Sequence, residues 1–232
     1  MKSILTYLKN IFVANQEVDS NLTGIAKADA LLQSLIDQKK IPGLAISVSQ
    51  KNNIVFEKGY GFSDIENKTP VNPRKSIFRI ASVSKPISAT ALAIMYEEQT
   101  IDLDTSLYDY VPYFPKKEYD FSIRQLASHT AGIRGYKGIE YGLNKSYSIK
   151  EGLSIFKDDA LLFKPGTDYF YNSYDWVLVS LAIQEVSDIP FENYVKDKVL
   201  TPLGMDNTFP EHNPPKKTNI NLVNFYSKSR MG

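Results

Sequence analysis

The chain has 232 residues, with 27 Lys and Arg against 26 Asp and Glu for a net charge of +1, and is 43% hydrophobic and 23% charged; these values are those of a globular chain long enough for a substantial core. Acidic and basic residues are interleaved, so there is no basic stripe for nucleic acid or anionic lipid, and no nucleic-acid partner is expected. Cysteine is absent and histidine occurs only at His129 and His212, which excludes disulfides and thiolate chemistry and leaves no H-E-x-x-H or comparable spacing, so no metal is expected.

Residues 1–20 begin apolar, but Lys9 and Asn10 interrupt the run before it forms a signal-type apolar region. Ile4, Leu5, Leu8, Ile11 and Phe12 share one helical face, so this stretch reads as a short amphipathic helix or a targeting segment. No run approaches the roughly 20 apolar residues of a spanning helix, and no membrane span is expected. Ile25, Leu31, Leu32, Leu35 and Ile36 predict a helix that stops at Pro42-Gly43. Alternation through Leu44, Ile46 and Val48, a polar turn at Lys51-Asn52-Asn53, then Ile54 and Phe56 predict a hairpin. A loop rich in proline and asparagine leads to Ile77, Phe78 and Ile80, and from Ser82 a helical period runs to about Glu98. Residues 100–145 carry prolines, tyrosines and glycines with a short helix near 122–129. Ser148 and Glu151 form a capping box that opens a helix through about Lys157. Two more helices are predicted at about 174–187 and 191–199. No repeat or linker is visible, which argues for one intertwined unit over residues 21–232 rather than separable domains.

The pattern Ser-x-x-Lys occurs twice, at Ser82-Val83-Ser84-Lys85 and Ser154-Ile155-Phe156-Lys157. Two common residues at fixed spacing recur about once by chance in a chain of this size, so context must choose. Pro86 follows the first match. A proline is tolerated in the first helical turn, where its missing N–H has no partner in any case, so Ser82 is pinned to a helix mouth. There the exposed N–H groups and the dipole favour an alkoxide or oxyanion, and Lys85, three residues on, can reach the hydroxyl. Ser82 is thus a candidate nucleophile with Lys85 as its base, the alternative being a plain N-cap serine. A lysine acts as base only when neutral, which calls for an enclosed site. Ser154 is expected mid-helix beside Asp158 and Asp159, on a solvated face.

Beyond the local pattern, several stretches in order resemble the penicillin-recognising serine hydrolases, the group of class C beta-lactamases, D-alanyl-D-alanine peptidases and related esterases. They are "IPGLAISVSQKNNIVFEKGYGFSDIENKTPVNP", "FRIASVSKPISA", "IDLDTSLYDYVPYFP", "FSIRQLASHTAGI", "FKPGTDYFYNSYDWVLVSLAIQEVSDIPFENYV" and "LTPLGMDNT", covering about residues 22–210. "VPYFPKKEY", "AGIRGY" and "FKDDALLFKPG" are most similar to the mitochondrial serine beta-lactamase-like branch.

The resemblance implies an α/β (α+β) fold, a helical cluster with an antiparallel sheet. It also implies an acyl-enzyme on Ser82, with Lys85 and Tyr171 as acid and base and no cofactor needed; the alternative for Tyr171 is a core aromatic. The family's Y-x-N is here Tyr171-Asn172-Ser173, so Ser173 takes the substrate-binding asparagine's place. It has less reach and no amide pair, which turns the expectation from beta-lactams towards peptides and esters. Substrates would be small molecules or peptides, and the family's habit favours the periplasm or the exterior. The third family motif, K-T-G or H-x-G, has no counterpart before Gly232. On that ground the sheet is expected to be incomplete with an open edge prone to self-association, and a silent binding or assembly module, or a fragment, is the alternative function. His129 is expected in a structural role at the turn near Gly132, and His212 in an exposed loop. Tyr108, Tyr110 and Tyr136 are left without a role.

Overall fold

The computed structural model of the protein describes residues 23–211 and 221–227. The expected segment at 1–20 and the loop at His212 lie outside these residues. The chain divides into two compact units, one within Met1–Arg79 and Lys217–Gly232 and the other within Ile80–Lys216, so the first is discontinuous in sequence.

In the first unit, α1 (Gly24–Asp37) precedes β1 (Gly43–Gln50), β2 (Asn53–Asp64) and the short β3 (Thr69–Pro70), which form an antiparallel sheet in the order β1-β2-β3. Gln50 faces Asn53 across Lys51 and Asn52, whose φ of 49° and 63° are both left-handed. That conformation matches the strand twist in a two-residue hairpin loop. Gly61 is obligatory at φ 64°, because a Cβ there would meet the Pro42 carbonyl oxygen at 2.2 Å. Asp29 of α1 accepts hydrogen bonds from Lys58 Nζ at 2.6 Å and Tyr60 Oη at 2.5 Å, fastening the helix to β2. Residues 221–227 return to this unit: Ile77 N–H donates to the Asn221 carbonyl at 2.7 Å, Val223 N–H donates to the Ile77 carbonyl at 2.9 Å, and Arg79 donates to the Val223 carbonyl at 2.8 Å.

The second unit is helical. A 3₁₀ turn (Ala81–Val83) leads into α2 (Ser84–Glu97), followed by α3 (Leu107–Tyr110), α4 (Ile123–Ala127), α5 (Ile149–Gly152), α6 (Tyr174–Ser187) and α7 (Phe191–Val195), the last running on into a π turn through Leu200. Leu178, Leu181 and Ile183 of α6 are fully buried with Leu107, Val111, Ile123 and Leu126. A helix this apolar around its circumference belongs at the centre of a core rather than on its surface. The combination of helices and an antiparallel sheet is the α+β class that the motifs imply.

One predicted element ends early. The helix opened by the Ser148 capping box was expected to reach Lys157, but it stops at Gly152 and tightens into a 3₁₀ turn over Leu153–Ile155. Glycine is a weak helix former, and 3₁₀ geometry eclipses positions three apart. That directs both Leu153 and Phe156 into the core, where Phe156 stacks on Tyr174 at 4.2 Å between ring centroids.

Candidate active site

The turn that carries Ser82 is built unusually. Ala81 has φ 44°, a left-handed conformation that costs an L-residue about 1–2 kcal/mol, and Val83 N–H then donates to the Ile80 carbonyl at 2.9 Å. Pro86 is the third residue of α2, within its first turn, as expected. The N-cap position of α2 is Val83 and no side chain caps it, so Ser82 is not a capping serine. Its hydroxyl instead accepts from Lys85 Nζ at 3.0 Å.

Lys85 Nζ also donates to Tyr171 Oη at 2.9 Å and lies 4.7 Å from that ring's centroid. The structure therefore brings Ser82, Lys85 and Tyr171 together, with Lys85 Nζ between the two hydroxyls. Tyr171 is not a core aromatic, being 49% exposed. The Lys85 hydrogen bond, followed by that of the Ser82 hydroxyl, holds the phenol below its ordinary range, against an opposing effect of partial burial. The expected enclosure is not supplied by the described residues, because Ser82 is exposed and Tyr171 half so. Ser173 stands half-buried at the N-cap position of α6 without a side-chain capping bond.

His129 departs from its expected place. Its ring does not brace the turn at Gly132, which is fixed by its own geometry: φ is 82° and a Cβ would meet the Phe163 carbonyl oxygen at 2.4 Å. Instead His129 Nδ1 lies 2.9 Å from Asp175 Oδ2, and the ring packs on Tyr171 with centroids 4.6 Å apart. Asp175 is fully buried in α6, and burial pushes its carboxyl up to about 6 despite hydrogen bonds from His129 and Asn172. Sequence reasoning missed Asp175; the available signal was a lone carboxylate in the otherwise apolar run "YDWVLVSLAI". Tyr108 is buried beside Phe114 and Phe121, while Tyr136 packs on Tyr141 and Tyr174. Among the described residues no group of three His, Asp or Glu could hold a metal ion, and no helix is long and apolar enough to cross a membrane.

With this geometry in place, comparison with known proteins is informative. The Beta-lactamase family model matches residues 28–219. The human mitochondrial serine beta-lactamase-like protein LACTB is 26% identical over an alignment covering 86% of this chain and 49% of its own. Protein flp of Staphylococcus aureus strain MW2 is 27% identical, with 78% of this chain and 37% of its own covered. Among solved structures, the octameric penicillin-binding protein homologue from Pyrococcus abyssi superposes with a TM-score of 0.79 at 24% identity, covering 90% of this chain and 49% of that one. EstCE1, a hydrolase with promiscuous acyltransferase activity, gives a TM-score of 0.68 at 26% identity over 75% of this chain and 49% of that one. The chain spans about half the length of these relatives or less.

Proposed function

Because this chain belongs to the beta-lactamase family, whose fold is that of serine hydrolases, we propose that it cleaves amide or ester bonds through an acyl-enzyme on Ser82. The observation that carries the reading is Lys85 Nζ placed between the Ser82 hydroxyl at 3.0 Å and the Tyr171 phenol at 2.9 Å. The Ser82 proton passes to the basic member of the Lys85–Tyr171 pair as Oγ bonds to the substrate carbonyl carbon. The tetrahedral oxyanion forms at the N-terminal end of α2, where the helix dipole favours it. Collapse breaks the bond to the leaving amine or alcohol, which takes up the proton from the pair. Water then attacks the acyl ester, gives a proton to the same pair, and releases the acid with Ser82 regenerated. Ser173, at the mouth of α6, contacts the substrate. Its single hydroxyl suits an ester or a peptide carbonyl better than a group that needs an amide partner.

The test is intact-mass measurement after exposure to a fluorophosphonate or a penicillin, with a single adduct expected on the chain and none on Ser82→Ala. An adduct that survives this substitution would sink the assignment. A second reading, a silent binding module on the same fold, draws on the exposure of Ser82 and Tyr171; turnover of nitrophenyl acetate excludes it. Self-association is proposed with either reading from the exposed Ile54, Val55 and Phe62 of β2, and size-exclusion chromatography with light scattering decides it.

A further inference from the structure

Tyr171 stands half in solvent, yet its hydroxyl must stay on Lys85 for the pair to work. An exposed phenol has several staggered rotamers available, so its direction has to be imposed by what lies under the ring. That support is His129, which is only 7% exposed and packs beneath Tyr171 at 4.6 Å with 56° between ring planes. The edge of Tyr169 closes the histidine in from another side at 6.1 Å.

The support is itself held. Asp175 Oδ2 lies 2.9 Å from His129 Nδ1 and also accepts from Asn172 Nδ2 at 2.6 Å, while the Asp175 N–H donates back to Asn172 Oδ1 at 2.8 Å. Asn172 is the residue next to Tyr171, and its Nδ2 further donates to the Ile133 carbonyl at 3.1 Å and the Phe170 carbonyl at 3.0 Å. The backbone makes the same connection, since Phe170 N–H donates to the His129 carbonyl at 3.0 Å. His129 has φ 63°, a conformation stabilised only by these surroundings. The other Asp175 oxygen, Oδ1, is buried without a hydrogen-bond partner. A fully buried carboxylate with one oxygen unmatched is a poor device for stability alone, because well-packed apolar residues in place of the whole Asp175–His129 pair are often as stable.

We propose that His129 is a positioning residue: locked by Asp175, its imidazole is the platform that holds the Tyr171 phenol against Lys85 and Ser82. The inference takes its catalytic meaning from the reading of Tyr171 as a proton carrier. The ionisable groups that face the phenol are Lys85 and His129, with Tyr169 beside the imidazole and Asp175 behind it. Loss of the platform lets the phenol leave Lys85, the contact that most lowers its titration.

His129→Asn separates this role from mere packing. Asparagine accepts a left-handed backbone and its amide can still bond Asp175, but the ring under Tyr171 is gone. Ultraviolet difference titration of the full chain, each protein against its own Tyr171→Phe counterpart, isolates one phenol among 15 tyrosines. In folded His129→Asn the phenol is expected to titrate higher than in the parent, towards the ordinary value of about 10. Turnover of a nitrophenyl ester should fall about 10²-fold, in kcat rather than KM, as for a displaced catalytic group. Asp175→Asn, which keeps the shape but weakens the lock, should shift the phenol in the same direction by less, and it decides the matter if His129→Asn does not fold. A lowered melting temperature with the phenol titration and kcat unmoved would mean a structural histidine only, and would overturn the proposal. If the parent forms no Ser82 adduct while the phenol still shifts, the hydrolase reading falls and the positioning role stands. A normal adduct with an unmoved phenol sinks the positioning role alone.

Discussion

The two Ser-x-x-Lys stretches have the same spacing and opposite hydrogen-bond surroundings. At Ser82 the side chains are free to meet, because a left-handed Ala81 and a 3₁₀ turn set the serine just before α2 and leave its hydroxyl to Lys85 Nζ at 3.0 Å. At Ser154 the hydroxyl is engaged by its own backbone, donating to the Glu151 carbonyl at 2.7 Å. There it is the main chain that matters: the Ile155 carbonyl accepts from the buried Arg134 at 2.7 Å, and the Lys157 carbonyl accepts from Lys117. One stretch brings two side chains together, while the other presents carbonyls that hold the buried Arg134 and the half-buried Lys117. A spacing of three residues is therefore silent until the backbone around it decides which atoms point outward.

The contrast can be tested from both ends. The largest effect is expected at the proposed nucleophile: Ser82→Ala should remove the fluorophosphonate adduct entirely, while Ser154→Ala leaves adduct formation unchanged and stability within about 0.5 kcal/mol, as for other surface changes. Next comes Arg134→Met, which takes the guanidinium from Glu140 and Asp159, each left with its other partners, and from the Ile155 carbonyl. Denaturant unfolding should show a loss of about 3–5 kcal/mol, the usual result of breaking a buried ion pair from one side, and equal adduct formation per folded molecule.

Tyr171→Phe should slow acylation about 10²–10³-fold, the contribution of one positioned proton carrier. Its sign with pH is fixed by the lowered phenol: the basic form accepts the Ser82 proton, so the parent's acylation rate rises with pH through a midpoint below that of a free tyrosine. The variant should lack that rise, and a rise retained in Tyr171→Phe would remove the phenol from the mechanism. Smallest is Ser148→Ala, which breaks the capping box with Glu151 ahead of the second stretch. A loss of about 1 kcal/mol is expected with no change in acylation, whereas a drop in acylation would mean that the two stretches are coupled.

Much of the candidate site's geometry was readable because its signals are short-range. Pro86 reports the helix mouth, and three residues of spacing bring Lys85 to Ser82; Tyr171 followed from the resemblance alone, as nothing local distinguishes it among its fellow tyrosines. His129 and Asp175 were not readable together. They are 46 residues apart, neither lies in a pattern that names the other, and an aspartate fully buried in α6 interrupts an apolar run only by its charge. The expected enclosure of Lys85 followed from the need for a neutral lysine, but the apolar Ile80 and Val83 near it are themselves exposed, so apolar composition did not translate into cover. The early end of the helix after Ser148 turned on whether Leu153 and Phe156 could both reach the core, a tertiary demand that periodicity does not record.

The return of residues 221–227 to the first unit has a kinetic consequence. Arg79 and Val223 are 144 positions apart, and closing a flexible loop of that length carries a length-dependent entropy on the order of 4 kcal/mol. The helical unit lies inside that loop and its own contacts close shorter spans of chain, so contact order places the clasp at Ile77 and Arg79 late in folding. A connection made last and held by a few hydrogen bonds is the natural place for local opening. Arg79, the end of that clasp, is three residues before Ser82 in the chain.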